Sequence, residues 1–300
     1  MINFKKIELQ DKRLIDNIFV GNRCRTCDFC FGNLYAWNSK FNTEYAIEQG
    51  TIYLRFKDDD NSLYYMMPMG KTPIKEAMLN IMADADSRRI PFRMKGVTAE
   101  MWKKIESAMP GQFEYIIDRK NYEYIYLSEK LIHLTGKKLQ SKRNHINRFK
   151  RDYPNWCYFP LTTQKDIDDC ISMLDEWEAK NTDKSNNSLN HEYIAIKKML
   201  DNFEYLELKG GAIRVNGKVI AFTIGEQLIE DTFVVHVEKA FSDMNGAYTI
   251  INQQFIECEA AKYKYVNREE DMGLESLRKA KESYQPDILL QEGVVKPIVR

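Results

Sequence analysis

The chain is 300 residues long, room for two domains at about 150 residues each. Its 44 basic and 44 acidic residues cancel to a formal net charge of zero, which excludes a surface devoted to coating nucleic acid or an anionic membrane. A hydrophobic content of 44% with 12% aromatic residues excludes a disordered or low-complexity chain.

A helical pattern around residues 11–20 leads into RCRTCDFCFGNLYAW, where Cys24, Cys27 and Cys30 stand at x-x spacing. Thiolates so spaced can converge on one metal ion, but no fourth Cys or His follows at usable distance, since the next are Cys157 and His133. The alternative is a turn whose cysteines act as small, half-buried apolar residues, and we assign no metal. YAIEQGTIYLRFKDD reads as two strands about a turn at Glu48–Gly50, and 62–70 as a third. Lys75 to Arg88 carries a helical apolar face, and a second helix runs from Ala99 to about Met109 behind Thr98 as N-cap. FEYIID and YEYIYL resume strand character.

A boundary is placed near residue 130, giving domains 1–130 and 131–300. Beyond it lie a basic helical segment and helices at 167–180 and 192–203 joined by NTDKSNNSLN. A hairpin centred on Asn216–Gly217 follows, then the strand TFVVHVEKA, a helix at 247–263 and KYVNREED as strand into loop. A helix at 273–284 and DILLQEGVV as final strand close the chain. Both halves mix helices with hairpin-type strands, an α+β class. The longest apolar runs fall short of the roughly 20 residues that span a bilayer, and no apolar secretory segment opens the chain. A soluble, cytoplasmic protein is expected.

The element order from Ile167 onward resembles the GNAT acyltransferase fold. GKKLQSKRNHINRFKRDYP (136–154) and NREEDMGLESLRKAKESYQP (267–286) resemble the paired signatures of the phosphatidylglycerol lysyltransferase C-terminal domain and of related stand-alone proteins. FGNLYAWNSKFNTEYAIEQG (31–50) is similar to the N-terminal half of those stand-alone members, while nothing resembles the membrane-spanning half of the lysyltransferases. The resemblance implies tandem GNAT-like domains, as in Fem-type aminoacyltransferases, and acyl transfer to an amine or hydroxyl.

Acyl transfer needs a site for the carrier's phosphates, a base and donors for the developing oxyanion. Residues 137–151 hold seven cations (Lys137, Lys138, Lys142, Arg143, Arg148, Lys150 and Arg151) and no acid. Such a segment, with Asn144 and His145 among the cations, can hold coenzyme pyrophosphate, the acceptor stem of tRNA or a lipid headgroup, or can be a solvated helix face. Asn267, Arg268, Glu269, Glu270 and Asp271 stand at a strand end, where Arg268 can bind a carboxylate or phosphate and an acid can capture an α-amine. Lys279, Lys281 and Tyr284 on the next helix are candidates for completing the clamp. Strand alternation puts His236 and Glu238 on one face with Thr232 and Val234, and either can serve as general base, with Glu226 a weaker alternative.

Coenzyme-A-binding GNAT proteins carry a pattern like Q/R-x-x-G-x-G/A ahead of the pyrophosphate helix. The matching stretch here, Phe241 to Ala247, keeps only Gly246–Ala247 beside Asn245, with Asp243 adding negative charge. That departure favours aminoacyl-tRNA over acyl-CoA as donor, with a small or lipid-linked acceptor. An acyl-CoA-dependent N-acyltransferase and a catalytically silent GNAT-fold binding protein stay open.

Overall fold

The structure, a computed structural model, describes residues 2–21, 24–181 and 187–298. In chain order the first part contains β1 (Lys5–Lys6), α1 (Lys12–Phe19), α2 (Phe31–Ala36), α3 (Asn38–Phe41), β2 (Glu44–Glu48) and β3 (Thr51–Lys57). It continues with β4 (Leu63–Tyr65), β5 (Met69–Gly70), α4 (Ile74–Ser87), β6 (Met94–Thr98), α5 (Ala99–Ala108) and β7 (Phe113–Ile117). The second part runs through β8 (Glu123–Leu127), α6 (Ser128–His133), α7 (Gln140–Asp152), β9 (Trp156–Pro160), α8 (Gln164–Asn181) and α9 (Asn187–Asp201). Then come β10 (Lys209–Val215), β11 (Lys218–Ile229), β12 (Thr232–Ala240), α10 (Ala247–Phe255), β13 (Tyr265–Glu270), α11 (Glu275–Glu282), β14 (Ile288–Leu290) and β15 (Glu292–Pro297).

Packing divides the chain into one unit of Met1–Glu123, Glu270–Glu275 and Leu289–Arg300, and a second of Tyr124–Glu269 and Ser276–Ile288. The boundary expected near residue 130 falls inside α6. The stretch DILLQEGVV, expected as one closing strand, is two: β14 joins the second sheet, whereas β15 returns to the first between β6 and β7. β14 lies at an edge of its sheet and β15 inside the other, so residues 131–300 are shared between the two units.

The first unit carries a sheet in the order β1-β2-β3-β4-β6-β15-β7, with β5 also pairing β3. The β2–β3 turn forms as read, with Gln49 and Gly50 both at positive φ. The stretch 62–70 breaks into β4 and β5 because Pro68 has no amide to donate to a ladder. Thr98 caps α5 by accepting from the Met101 amide at 3.3 Å, worth about 1 kcal/mol. The buried Glu123 carboxylate gathers the Cys24–Cys30 turn, accepting from the Thr26 hydroxyl at 2.6 Å and the Cys27 amide at 3.1 Å. Burial, reinforced by the Glu123 and Asp28 charges, holds the neighbouring Glu292 carboxyl well above the usual carboxylate range.

The second unit carries the sheet β14-β8-β13-β12-β11-β10-β9. Asn216 and Gly217, both at positive φ, form the tight turn between β10 and β11, as the Asn-Gly signal requires. Phe233 of β12 packs its ring 5.7 Å from Phe255 of α10 and 5.4 Å from Tyr263, anchoring that helix on the sheet. The expected helix 247–263 is α-helical only to Phe255 and ends in a π turn over Ile256–Ala260. Helix α9 starts earlier than expected, and residues 182–186 of the polar connection before it lie outside the described residues.

Candidate functional site

Strands β12 and β13 are parallel neighbours for three residues only, Thr232–Val234 against Tyr265–Asn267. Beyond these pairs β12 continues to Ala240 and β13 to Glu270 without a shared ladder, so the two diverge. A bulge in β12 accompanies the divergence: Gly225 faces Val235 and Ile224 faces Val237, which leaves His236 unopposed. The extra residue interrupts the alternation on which a shared face for His236 and Glu238 rested. The two side chains instead enter separate clusters.

Glu238 bridges the gap to Arg268. Nη2 of Arg268 lies 3.0 and 3.1 Å from the two carboxylate oxygens, and the Asn252 amide of α10 donates to Oε2 at 2.9 Å. The guanidinium carbon sits 4.8 Å from the Tyr284 ring centroid and 5.7 Å from that of Tyr126 on β8. Arg268 is buried; burial opposes its charge, but the Glu238 carboxylate outweighs that and holds its pKa above the ordinary value. Two atoms of this cluster, Nη1 of Arg268 and Oδ1 of Asn252, are buried without a hydrogen-bond partner among the described residues. Lys142 enters from α7 with Nζ 4.0 Å from the Tyr284 centroid. Burial, then repulsion from Arg268, brings its pKa down to about 8, with Glu238 pulling the other way. Burial pushes the Tyr284 hydroxyl up to about 12, which keeps it protonated at neutral pH. Lys281 braces the strand by donating from Nζ to the Arg268 carbonyl at 2.6 Å, and the Tyr126 hydroxyl donates to the Lys281 carbonyl at 2.7 Å.

The His236 ring, 1% exposed, stands between two carboxylates, with Nδ1 2.7 Å from Glu269 and Nε2 3.0 Å from Glu226. A neutral imidazole offers one donor and one acceptor, so with both carboxylates ionised only the imidazolium satisfies both contacts. Glu269 reaches this position in left-handed backbone at φ 58°, held by its amide donating to Asn267 Oδ1 at 2.7 Å. Both ring nitrogens of His236 are thus engaged by carboxylates of neighbouring strands.

The basic segment folds as a short 3-10 turn, Lys137–Leu139, followed by α7. Arg143 is a cap: Nη1 donates to the Gly136 carbonyl at 2.9 Å and also to that of Leu134, satisfying the end of α6. Asn144 is exposed. His145 contacts Asn245 through Nδ1 at 3.0 Å and lies over the start of α10. Gly246 has φ 90°, and a β-carbon there would come within 2.5 Å of the His145 carbonyl. The Ala247 amide donates to Met244 at 3.1 Å and the Thr249 amide to Gly246 at 3.0 Å. Asn245 and Gly246 therefore pack against α7 through His145.

Glu270 and Asp271 belong to the first unit, where buried Asp271 pairs with Arg119 at 3.2 Å and accepts from the Gly273 amide at 2.8 Å. Lys279 is exposed on α11. In the cysteine turn the Cys30 thiol donates to the Cys27 carbonyl at 3.0 Å, and burial pushes the Cys24 thiol up to about 12, which disfavours the thiolate a metal would need. Asn252 and Tyr126 escaped the sequence reading. The available signals were an amide on an otherwise apolar helix and a tyrosine at alternate spacing in YEYIYL.

No helix of the described residues is long and apolar enough to cross a membrane. A conserved protein of unknown function from Bacteroides thetaiotaomicron shares 39% identity over 99% of this chain and 100% of its own, with a TM-score of 0.93. L-PGS from Bacillus licheniformis superposes with a TM-score of 0.68 at 13% identity, over 97% of this chain and 93% of its own, a likeness of fold alone. An uncharacterised protein of Mycoplasmoides gallisepticum is 24% identical over 189 residues, 61% of this chain and 58% of that protein's length. Residues 23–292 match the phosphatidylglycerol lysyltransferase C-terminal family. With that match across most of its length, the chain belongs to this family.

Proposed function

We propose that the second unit is the reaction centre of an acyltransferase that takes an aminoacyl group from aminoacyl-tRNA and passes it to an amine or hydroxyl. One observation carries the choice of donor: α7 lies on the start of α10, with the His145 carbonyl against Gly246 and the Ala247 and Thr249 amides already bonded. A coenzyme pyrophosphate would need those amides and that space. Lys142, from the same α7, reaches the Glu238–Arg268 pair, and the unpartnered Nη1 of Arg268 is a donor for an acyl oxygen that becomes negative during attack. The lysyltransferase family name makes phosphatidylglycerol the first acceptor to try.

The test incubates the full chain with tRNA carrying a radiolabelled amino acid and phosphatidylglycerol vesicles, alongside thermal shifts with tRNA and with acetyl-CoA. Labelled lipid, with a shift from tRNA and none from acetyl-CoA, is expected. A shift from acetyl-CoA alone overturns the donor assignment. A second reading, a catalytically silent binding protein, is favoured by Glu238 and Arg268 spending their charges on each other. It gains if the chain binds tRNA yet releases no label.

A further inference from the structure

Glu238 is poorly placed to act as the base. Both of its oxygens are engaged by Arg268, and one of them also by Asn252, so its lone pairs are already committed to fixed donors. His236 is held at both nitrogens. Lys142 differs: among the described residues its Nζ makes no hydrogen bond or ion pair, and it lies 4.0 Å from the Tyr284 ring centroid.

We infer that Lys142 carries the proton in the transfer, its amine taking it from the attacking amine or hydroxyl and returning it to the leaving ribose oxygen. This rests on the aminoacyl-transfer reading above. The new bond forms between the acceptor's nitrogen or oxygen and the acyl carbon, and the ester bond from that carbon to the ribose oxygen breaks. The proton moves from acceptor to Lys142 and then to the ribose hydroxyl, so no other reactant is needed. The groups facing Lys142 from neighbouring elements are Glu238 of β12, Arg268 of β13 and Tyr284 just beyond α11. The nearby cation and burial together keep about a tenth of Lys142 molecules neutral at pH 7, given a pKa of about 8. An exposed lysine keeps roughly a thousandth or less in that form.

Two measurements test the inference. Pulse acetylation of the native protein across a pH series, read by peptide mass spectrometry, is expected to show Lys142 gaining reactivity about two pH units below exposed Lys138. If the two rise together, the inference is overturned whatever the protein transfers. In the transfer assay, Lys142→Arg, which cannot lose its proton, is expected to lower kcat by about 10²- to 10⁴-fold and to erase the limb of the pH profile near pH 8. Lys142→Ala is expected to be rescued by added ethylamine, a response that a merely structural lysine would not give. Lys142→Gln replaces it if circular dichroism shows the alanine variant unfolded. Unchanged kcat and pH profile in Lys142→Arg overturn the role of Lys142 alone. A wild-type chain that transfers nothing sinks the aminoacyl-transfer reading, and this inference with it.

Discussion

Replacing Arg268 with alanine tests whether the diverging strands are held by charge. The substitution removes two contacts to Glu238, at 3.0 and 3.1 Å, and the cation over Tyr284 and Tyr126. Glu238 is left with the single amide bond from Asn252. Breaking a buried pair on one side costs about 3–5 kcal/mol, because a charge remains without its partner. Against a total stability of about 5–15 kcal/mol, that is a large fraction. Glu238→Gln strands the guanidinium instead and is expected to cost a similar amount. The double variant removes both charges, so its cost should fall well below the sum, by at least about 2 kcal/mol. Urea unfolding followed by tryptophan fluorescence and far-ultraviolet circular dichroism gives the four free energies, provided the two signals coincide. Single variants within about 0.5 kcal/mol of wild type, or an additive cycle, would refute a buried bridge here. The alanine variant also withdraws one of the two causes that depress Lys142, so its pKa is expected to rise.

Glu292 gives a pH-dependent prediction in the first unit. Its folded-state pKa is raised, so the stability its protonated form contributes is fully present below the unfolded pKa of about 4.3 and declines above it. The decline is roughly 1.4 kcal/mol per pH unit until the folded pKa is reached. Glu292→Gln mimics the protonated acid, so its advantage over wild type in unfolding free energy should grow as pH rises above about 5, and a flat difference would be evidence against it. Gly246→Ala is expected to destabilise by more than the roughly 1–2 kcal/mol of left-handed alanine backbone, because the β-carbon meets the His145 carbonyl at 2.5 Å. An unchanged melting temperature would mean that α7 does not bear on α10.

Much of this architecture was legible where local chemistry acts alone. The Asn216–Gly217 turn, the Thr98 cap and the paired strands at 44–57 follow from turn residues, a hydroxyl and alternation, and each forms where read. Elements whose identity depends on distant partners were harder. PFRMKGVT contains β6, and WCYFP contains β9; both are short, and neither alternates cleanly enough to stand apart from a loop. The split of the last strand depends on which sheet each half joins. At the site, Arg268, Glu238, Lys142 and Tyr284 converge, although they come from three separate sequence segments. The bulge at His236 is a property of pairing with β11 and has no signature within TFVVHVEKA. Glu270 and Asp271 read as neighbours of Arg268 along the chain, yet a left-handed Glu269 turns the backbone away and they pack in the other unit.

The basic segment looked like seven charges awaiting one polyanion, and the structure distributes most of them. Arg143 closes α6, Arg148 and Arg151 share Asp152 at 3.2 and 3.1 Å, Lys150 lies 5.3 Å from the Trp156 ring centroid, and Lys142 enters the site. Lys137 and Lys138 are exposed and, among the described residues, have no hydrogen-bond or ion-pair partner. Counterion release makes the salt dependence of RNA binding proportional to the phosphates neutralised, with a slope of about −0.7 to −0.9 per contact. Seven available cations would contribute a slope of about −5 to −6, whereas two contribute only about −1.4 to −1.8. Fluorescence-anisotropy titrations of tRNA at several salt concentrations measure the slope. Lys137→Gln with Lys138→Gln is expected to reduce its magnitude by about that smaller amount, and Arg148→Gln with Arg151→Gln to change it little. If the arginine pair reduces the slope as much as the lysine pair, the contacts with Asp152 open on binding and α7 offers its whole outer face to RNA.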